Sequence, residues 1–271
     1  MTRTITELGP REAEFLVTLA GQGRSTFTFE DASSFWGPGQ YARNVLSRLE
    51  SKGWIERLER GSYIIIPLEA GPDRVWSENP LVIGTLLEPD GAAAYWTAVH
   101  HWGWTTQLPR DVFFITSRRR YNPRPTILGV EYRFVTLKPQ RVFGIAEESA
   151  DGFRVSVTDR ERTIVDIMDR PDLAGGTAEV SEALQQAWGS LDLERLTQYL
   201  ERLEGGTPPK RLGFLAESLS LPDVEAWLPR WRRLLGSGFT ALERGGAPGG
   251  TLLRAWNLRV NVSGFERGAH T

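Results

Sequence analysis

Polar side chains recur at helical spacing between residues 40 and 52. Gln40, Arg43, Asn44 and Ser47 fall on one face, opposite an apolar stripe of Tyr41, Ala42, Val45, Leu46 and Leu49. Carboxamide and guanidinium groups carry donors and acceptors in fixed arrangements. A helix anchored by its apolar face can offer them to base edges in a major groove. Arg48 and Lys52 lie one turn further on, and Arg57 and Arg60 fall on the hairpin that follows, which would be the wing. All four are placed to meet phosphate oxygens, contacts that position a reader without specifying sequence. No acid interrupts this polar face before Glu50. The chemistry expected is hydrogen bonding to duplex DNA.

A second group of cations lies between residues 110 and 141, where Arg110, Arg118, Arg119, Arg120, Arg124, Arg133, Lys138 and Arg141 face only Asp111 and Glu131. Arg118, Arg119 and Arg120 precede a loop, Tyr121-Asn122-Pro123-Arg124-Pro125, that holds Arg124 and could present guanidinium groups to phosphate or to an acidic partner. Other reactive groups read as structural. Adjacent His100 and His101 point in different directions on a helix and no third ligand stands at useful spacing, so no metal is expected and at least one of the pair is assigned to the core. Asp159, Glu161 and Asp166 have the carboxylates for an acid/base or magnesium cluster, but Asp159 is better explained as a cap for the helix that follows. Gly175-Gly176 and the glycines of 245–250 lack the frame of a phosphate-binding loop and read as turns. His270 has no motif around it.

Composition narrows the classes further. The chain has 271 residues, enough for two cored domains, with 40% hydrophobic and 24% charged residues. It has no Cys, which removes disulfides, thiolate metal sites and thiol nucleophiles and fits a reducing compartment. The N-terminus shows no basic-then-apolar leader, and no stretch reaches the roughly 18 apolar residues of a membrane span, so a cytoplasmic protein is expected. A net charge of −2 excludes a surface that is basic throughout. Any grip on nucleic acid must be local.

The elements that would carry these side chains follow from periodicity and breakers. Ala13, Leu16, Val17 and Ala20 mark a helix over 10–20 behind Pro10 and ended by Gly21 and Gly23. A short strand or helix start at 26–29 leads into a brief helix at 30–35, and Gly37-Pro38-Gly39 breaks the chain before the helix of 40–52. Apolar runs at 54–58 and 62–67 flank Glu59-Arg60-Gly61, a hairpin pattern. Helix, helix, amphipathic helix and hairpin is the order of a winged helix-turn-helix, here assigned to residues 1–70. Ala70-Gly71-Pro72-Asp73 reads as a linker, and a larger α+β domain is expected over 74–271. Within it the pattern predicts helices over 81–87 and 92–102, strands over 112–116, 127–137 and 153–157, and then helices over 162–168, 178–188, 192–203, 209–219 and 224–235. The Gly-rich tail, 245–271, holds one strand-like run at 258–262 and either docks on the sheet or stays partly mobile.

Several of these segments resemble one family. Arg11-Glu12-Ala13-Glu14-Phe15-Leu16, Tyr41-Ala42-Arg43 with Leu46-Ser47-Arg48-Leu49, and Lys52-Gly53-Trp54-Ile55 with Arg60-Gly61-Ser62-Tyr63 look like the N-terminal winged helix of AbiEi-type antitoxins. Residues 95–110 are similar to the segment that opens that family's C-terminal domain, and residues 159–166 and 169–176 to its later helical signature. The likeness spans about residues 8–215. It implies an autorepressor acting at inverted repeats in its own promoter, with a C-terminal domain that counters a nucleotidyltransferase-type toxin.

The sequence thus predicts a DNA-binding regulator without cofactor, and a monomer in solution. A stand-alone transcriptional regulator whose C-terminal domain senses a ligand or protein partner is the alternative. An enzyme is not expected, because three His and no Cys leave only carboxylate or Lys/Arg chemistry and no convergent set of such groups stands out.

Overall fold

The computed structural model describes residues 7–66, 79–120, 122–127, 129–203 and 206–265. The linker expected at 70–73, the boundary drawn between 70 and 74, Tyr121 and His270 lie outside the described residues.

Pro10 starts helix α1, Pro10–Gly21, and Glu12 reaches back to accept the Gly9 N–H at 3.0 Å. Its inward face is Glu12, Phe15, Leu16 and Leu19. The stripe of Ala13, Leu16, Val17 and Ala20 expected from the sequence is therefore rotated: Val17 and Ala20 are exposed. The cause is Phe15, whose ring packs on Phe27, Phe35 and Trp36 at centroid distances of 5.1, 5.2 and 4.4 Å, so the largest side chain decides which face turns in. Strand β1, Thr26–Thr28, runs into α2, Phe29–Trp36, through a reciprocal cap: the Asp31 N–H donates to the Thr28 hydroxyl, and the Thr28 N–H donates to the Asp31 carboxylate. Gly37 and Gly39 then take φ values of 90° and 96°, which side chains disfavour, and α3, Gln40–Ser51, begins.

Strands β2, Ile55–Glu59, and β3, Ser62–Ile65, form a hairpin, and β1 adds to it in the order β1-β3-β2, all antiparallel. This small sheet is buried on both sides. Ile55 and Tyr63 belong to the core of the three helices, whereas Leu58, Ile64 and Ile66 pack with Val82, Ile83 and Leu87 in the next core. A register shift between Arg57 and Glu59 accompanies burial of Leu58. Two-sided burial explains why Tyr63-Ile64-Ile65-Ile66 is an unbroken apolar run instead of an alternation.

Helix α4, Pro80–Leu87, is capped by Asn79 and lies against a six-stranded mixed sheet. The strands are β4 Ala92–Ala93, β5 Asp111–Thr116, β6 Thr126–Ile127, β7 Val130–Thr136, β8 Ile145–Ala150 and β9 Phe153–Thr158, in the order β6-β7-β5-β4-β9-β8. Helix α5, Tyr95–His101, follows β4, so the single helix expected over 92–102 divides. Ala92 and Ala93 are fully buried between β5 and β9, and their small side chains let helices approach the sheet. The fit is close at Gly84 of α4, where an added Cβ would lie 2.1 Å from the Phe114 ring.

Helices α6 Arg160–Asp169, α7 Thr177–Ala187, α8 Leu193–Arg202, α9 Thr207–Ser218 and α10 Leu228–Arg232 follow, near the expected positions except that 224–235 breaks into a 3-10 turn and the short α10. Pro229, which has no N–H, marks the restart. The tail docks. Strands β10 Thr240–Ala241, β11 Thr251–Leu253 and β12 Leu258–Val260 make a third sheet, and Trp256, Leu258 and Val260 enter the helical core. Arg211 ties the layers together, donating to the carbonyls of Met168, Asp169, Ala241 and Leu242. Burial lowers its pKa to about 10. Among the described residues no helix is long and apolar enough to cross a membrane.

Candidate nucleic-acid interface

Helix α3 buries Ala42, Val45, Leu46 and Leu49 and exposes Gln40, Arg43, Asn44, Ser47 and Arg48. Tyr41 is a correction: expected in the apolar stripe, it is more than half exposed and lies on the outer face. At 100° per residue, residue 41 lies about 90° from the middle of the buried set Ala42, Val45, Leu46 and Leu49, at the margin of the stripe instead of within it. Two contacts order the polar face. The Gln40 carboxamide donates to Asn44 Oδ1 at 2.9 Å, one turn on, and the Arg43 guanidinium sits 5.5 Å from the centre of the Phe29 ring. Phe29 also donates its N–H to Gly61 O in the hairpin turn at 2.8 Å. One residue at the start of α2 thereby brings the outer face of α3 and the turn carrying Arg60 together. Arg57 and Arg60 are exposed on that hairpin. The first turn of α3 holds no acid, and its N-cap, Gly39, supplies no side-chain cap.

Two of the expected phosphate contacts are otherwise engaged. Lys52 Nζ is 3.0 Å from Glu12 Oε2 and donates to Glu7 O at 2.9 Å, and Arg48 Nη2 is 3.6 Å from Glu12 Oε1. The reason is a long-range one: Glu12 on α1 faces the last turn of α3 across the helical core. Burial pushes the Glu12 carboxyl up, but the Gly9 N–H and the Lys52 ammonium outweigh it and hold the group below its ordinary range.

The basic island is smaller than its residue types suggest. Arg120 is not a free cation: it donates to Glu88 at 2.8 Å and to Leu87 O at 2.8 Å, and its guanidinium lies 4.2 Å from the centre of the Phe134 ring. Glu88, at the C-terminal end of α4, is wholly buried, and 32 residues of chain separate the pair. Arg133 pairs with Asp111 at 2.7 Å and Arg141 with Asp169 at 3.2 Å. Arg118, Arg119 and Arg124 are exposed, although Arg118 stands 3.9 Å from the same Glu88. Of Arg118, Arg119, Arg120 and Arg124, three remain on the surface where four were expected.

The remaining candidates are absorbed by the fold. Asp159 caps α6 by accepting the Arg162 N–H at 2.8 Å and also accepts the Tyr199 hydroxyl at 2.8 Å. Glu161 accepts the Asp192 N–H and pairs with Arg195. Burial pushes Asp166 up to about 6 against the pull of Arg162, 2.8 Å away. His100 and His101 are both half-buried at the end of α5, so neither is the core histidine expected. Their helix ends at the surface, and the core positions of α5 are taken by Tyr95, Trp96, Ala98 and Val99. Among the described residues no group of three His, Cys, Asp or Glu side chains is placed to hold a metal ion.

Residues 14–66 match the family model described as transcriptional regulator, AbiEi antitoxin. The match starts inside α1 and ends at Ile66, so it takes in α3 and the three-stranded sheet and stops before the six-stranded one. The crystal structure of the RV2827C protein from Mycobacterium tuberculosis resembles this chain with a TM-score of 0.66 and 16% identity, over 94% of this chain and 93% of that one. At that identity the likeness concerns the fold alone. No curated protein matches the sequence.

Glu12 escaped the sequence reading, and Tyr41 was assigned to the inner face. Glu12 was legible only as an acid in a first helical turn, three residues after Gly9, and Tyr41 only by its angle on the helix. Neither pattern names a partner on another element.

Proposed function

We propose that residues 7–66 act as a winged helix-turn-helix that reads duplex DNA, with α3 in the major groove and the β2–β3 turn as the wing. The carrying observation is the outer face of α3, where Gln40, Arg43, Asn44 and Ser47 are exposed together beside the turn that bears Arg60. Arg43 and Asn44 have the side-chain geometry to read guanine and adenine edges, and Arg57 and Arg60 face the phosphates. Arg118, Arg119 and Arg124 supply a second set of phosphate contacts from the larger part of the chain.

The protein is, on this reading, a regulator that acts by binding and not by catalysis. It represses its own toxin–antitoxin operon at inverted repeats, and the part of the chain from residue 79 onward counters a nucleotidyltransferase-type toxin. The matched family description and the sequence resemblance support this half of the proposal. Co-expression with a growth-arresting nucleotidyltransferase encoded beside it is expected to restore colony formation, and the full chain is expected to retard its own upstream duplex. Rescue failing against a demonstrated toxin would remove the antitoxin role and leave the DNA-binding role standing.

A further inference from the structure

We propose that Glu12 is a specificity-determining residue: an internal anion that holds Lys52 and Arg48 away from phosphate, so that α3 is kept from gripping DNA of any sequence. The inference rests on the DNA-reading role proposed above. Both cations lie at the C-terminal end of α3, where the helix would pass the duplex backbone and where Lys and Arg strengthen binding without regard to sequence. Glu12 competes with phosphate for both. Its side chain is 9% exposed, against 21% for Lys52 and 57% for Arg48. Lys52 is the more firmly held, since it donates to Glu12 and to Glu7 O and could leave only by stranding a nearly buried carboxylate. Arg48, at a longer distance and more exposed, is restrained by charge alone. Among the described residues no acid pairs with Gln40, Arg43, Asn44 or Ser47, so readout is left intact while sequence-independent adhesion is reduced.

The test uses the full chain and the dependence of affinity on salt. Each phosphate neutralised adds about −0.9 to the slope of log K against log salt. Glu12→Gln keeps an acceptor for the Gly9 N–H and removes the charge. It is expected to steepen the slope on an unrelated duplex by about one to two units and to raise affinity for that duplex on the order of tenfold at low salt. Glu14→Gln, the same charge change at an exposed position on the same helix, is expected to leave the slope within about half a unit of the wild type. Arg48→Ala with Lys52→Ala is expected to change little in the wild-type background and to cancel the gain in the Glu12→Gln background. The inference is overturned if Glu12→Gln leaves the slope unchanged, if Glu14→Gln steepens it equally, or if the Arg48 and Lys52 changes already flatten the wild-type slope. Salt elution from heparin, a polyanion without bases, gives the same comparison. Equal wild-type affinity for promoter and unrelated duplex would defeat the sequence-reading role, and the heparin comparison would still decide the part played by Glu12.

Discussion

Replacing Arg43 and Asn44 together by Ala is expected to lower affinity for the protein's own promoter by about 2–4 kcal/mol, roughly 30- to 1,000-fold, since each bidentate pairing with a base edge is worth about 1–3 kcal/mol. Affinity for an unrelated duplex should fall far less, because only one cation is removed and phosphate contacts carry most of that binding. The effect is expected to be large because both side chains are already partly ordered, Asn44 by its hydrogen bond from Gln40 and Arg43 by its place over Phe29. Binding therefore costs less side-chain entropy than it would for two unrestrained side chains. Both residues are exposed on a helix whose core packing comes from Ala42, Val45, Leu46 and Leu49, so Ala should leave the fold intact. Fluorescence anisotropy with the two duplexes at one fixed salt concentration measures the difference. A similar weakening on both duplexes would assign Arg43 to the backbone and remove it from readout.

The second large effect concerns stability and separates two groups of arginines that look alike in the sequence. Arg120→Met should cost about 3–5 kcal/mol, because it leaves the wholly buried Glu88 without its 2.8 Å partner and leaves Leu87 O without that donor. Removing the guanidinium over Phe134 adds to the cost. Replacing Arg118, Arg119 and Arg124 by Gln should change stability by less than about 1 kcal/mol, as surface charges do, but should flatten the salt slope of DNA binding. Urea unfolding with constant m-value and a salt titration make the two measurements. Equal stabilities of the two variants would show that the Glu88–Arg120 pair is not a fixed part of the fold, and an unaltered slope in the Gln variant would place the three exposed arginines away from the duplex.

Local patterns in this sequence were legible where the deciding interaction is local. The order of three helices and a hairpin, the Gly-Pro-Gly break and the caps all involve residues a few positions apart, and they form as read. Patterns were misread where a distant residue decides. Val17 looked inward until Phe15 claimed the space against Phe27 and Trp36. The run Ala92-Ala93-Ala94 satisfies a helix pattern, but partners at Phe114, Ile115 and Val157 make its first two residues a strand. Strand β8 went unseen because Glu147 and Glu148 mask an alternation that has only one strand beside it, β9.

The candidate site divides in the same way. The exposed set Gln40, Arg43, Asn44 and Ser47 follows from helical geometry alone, and the structure exposes all four. Whether a cation is available depends on carboxylates far along the chain. Glu12 takes up Lys52 from 40 residues away, and Glu88 takes up Arg120 from 32. Counting charges within a segment cannot register either pair.

The central claim is that the outer face of α3 meets base edges in the major groove. Methylation interference on the promoter duplex tests it most directly, because guanine N7 lies in that groove. The account predicts that methylating particular guanines in each half of an inverted repeat blocks binding of the wild-type chain and no longer affects the Arg43→Ala chain. Binding that is indifferent to N7 methylation, or interference that persists unchanged in Arg43→Ala, would contradict it.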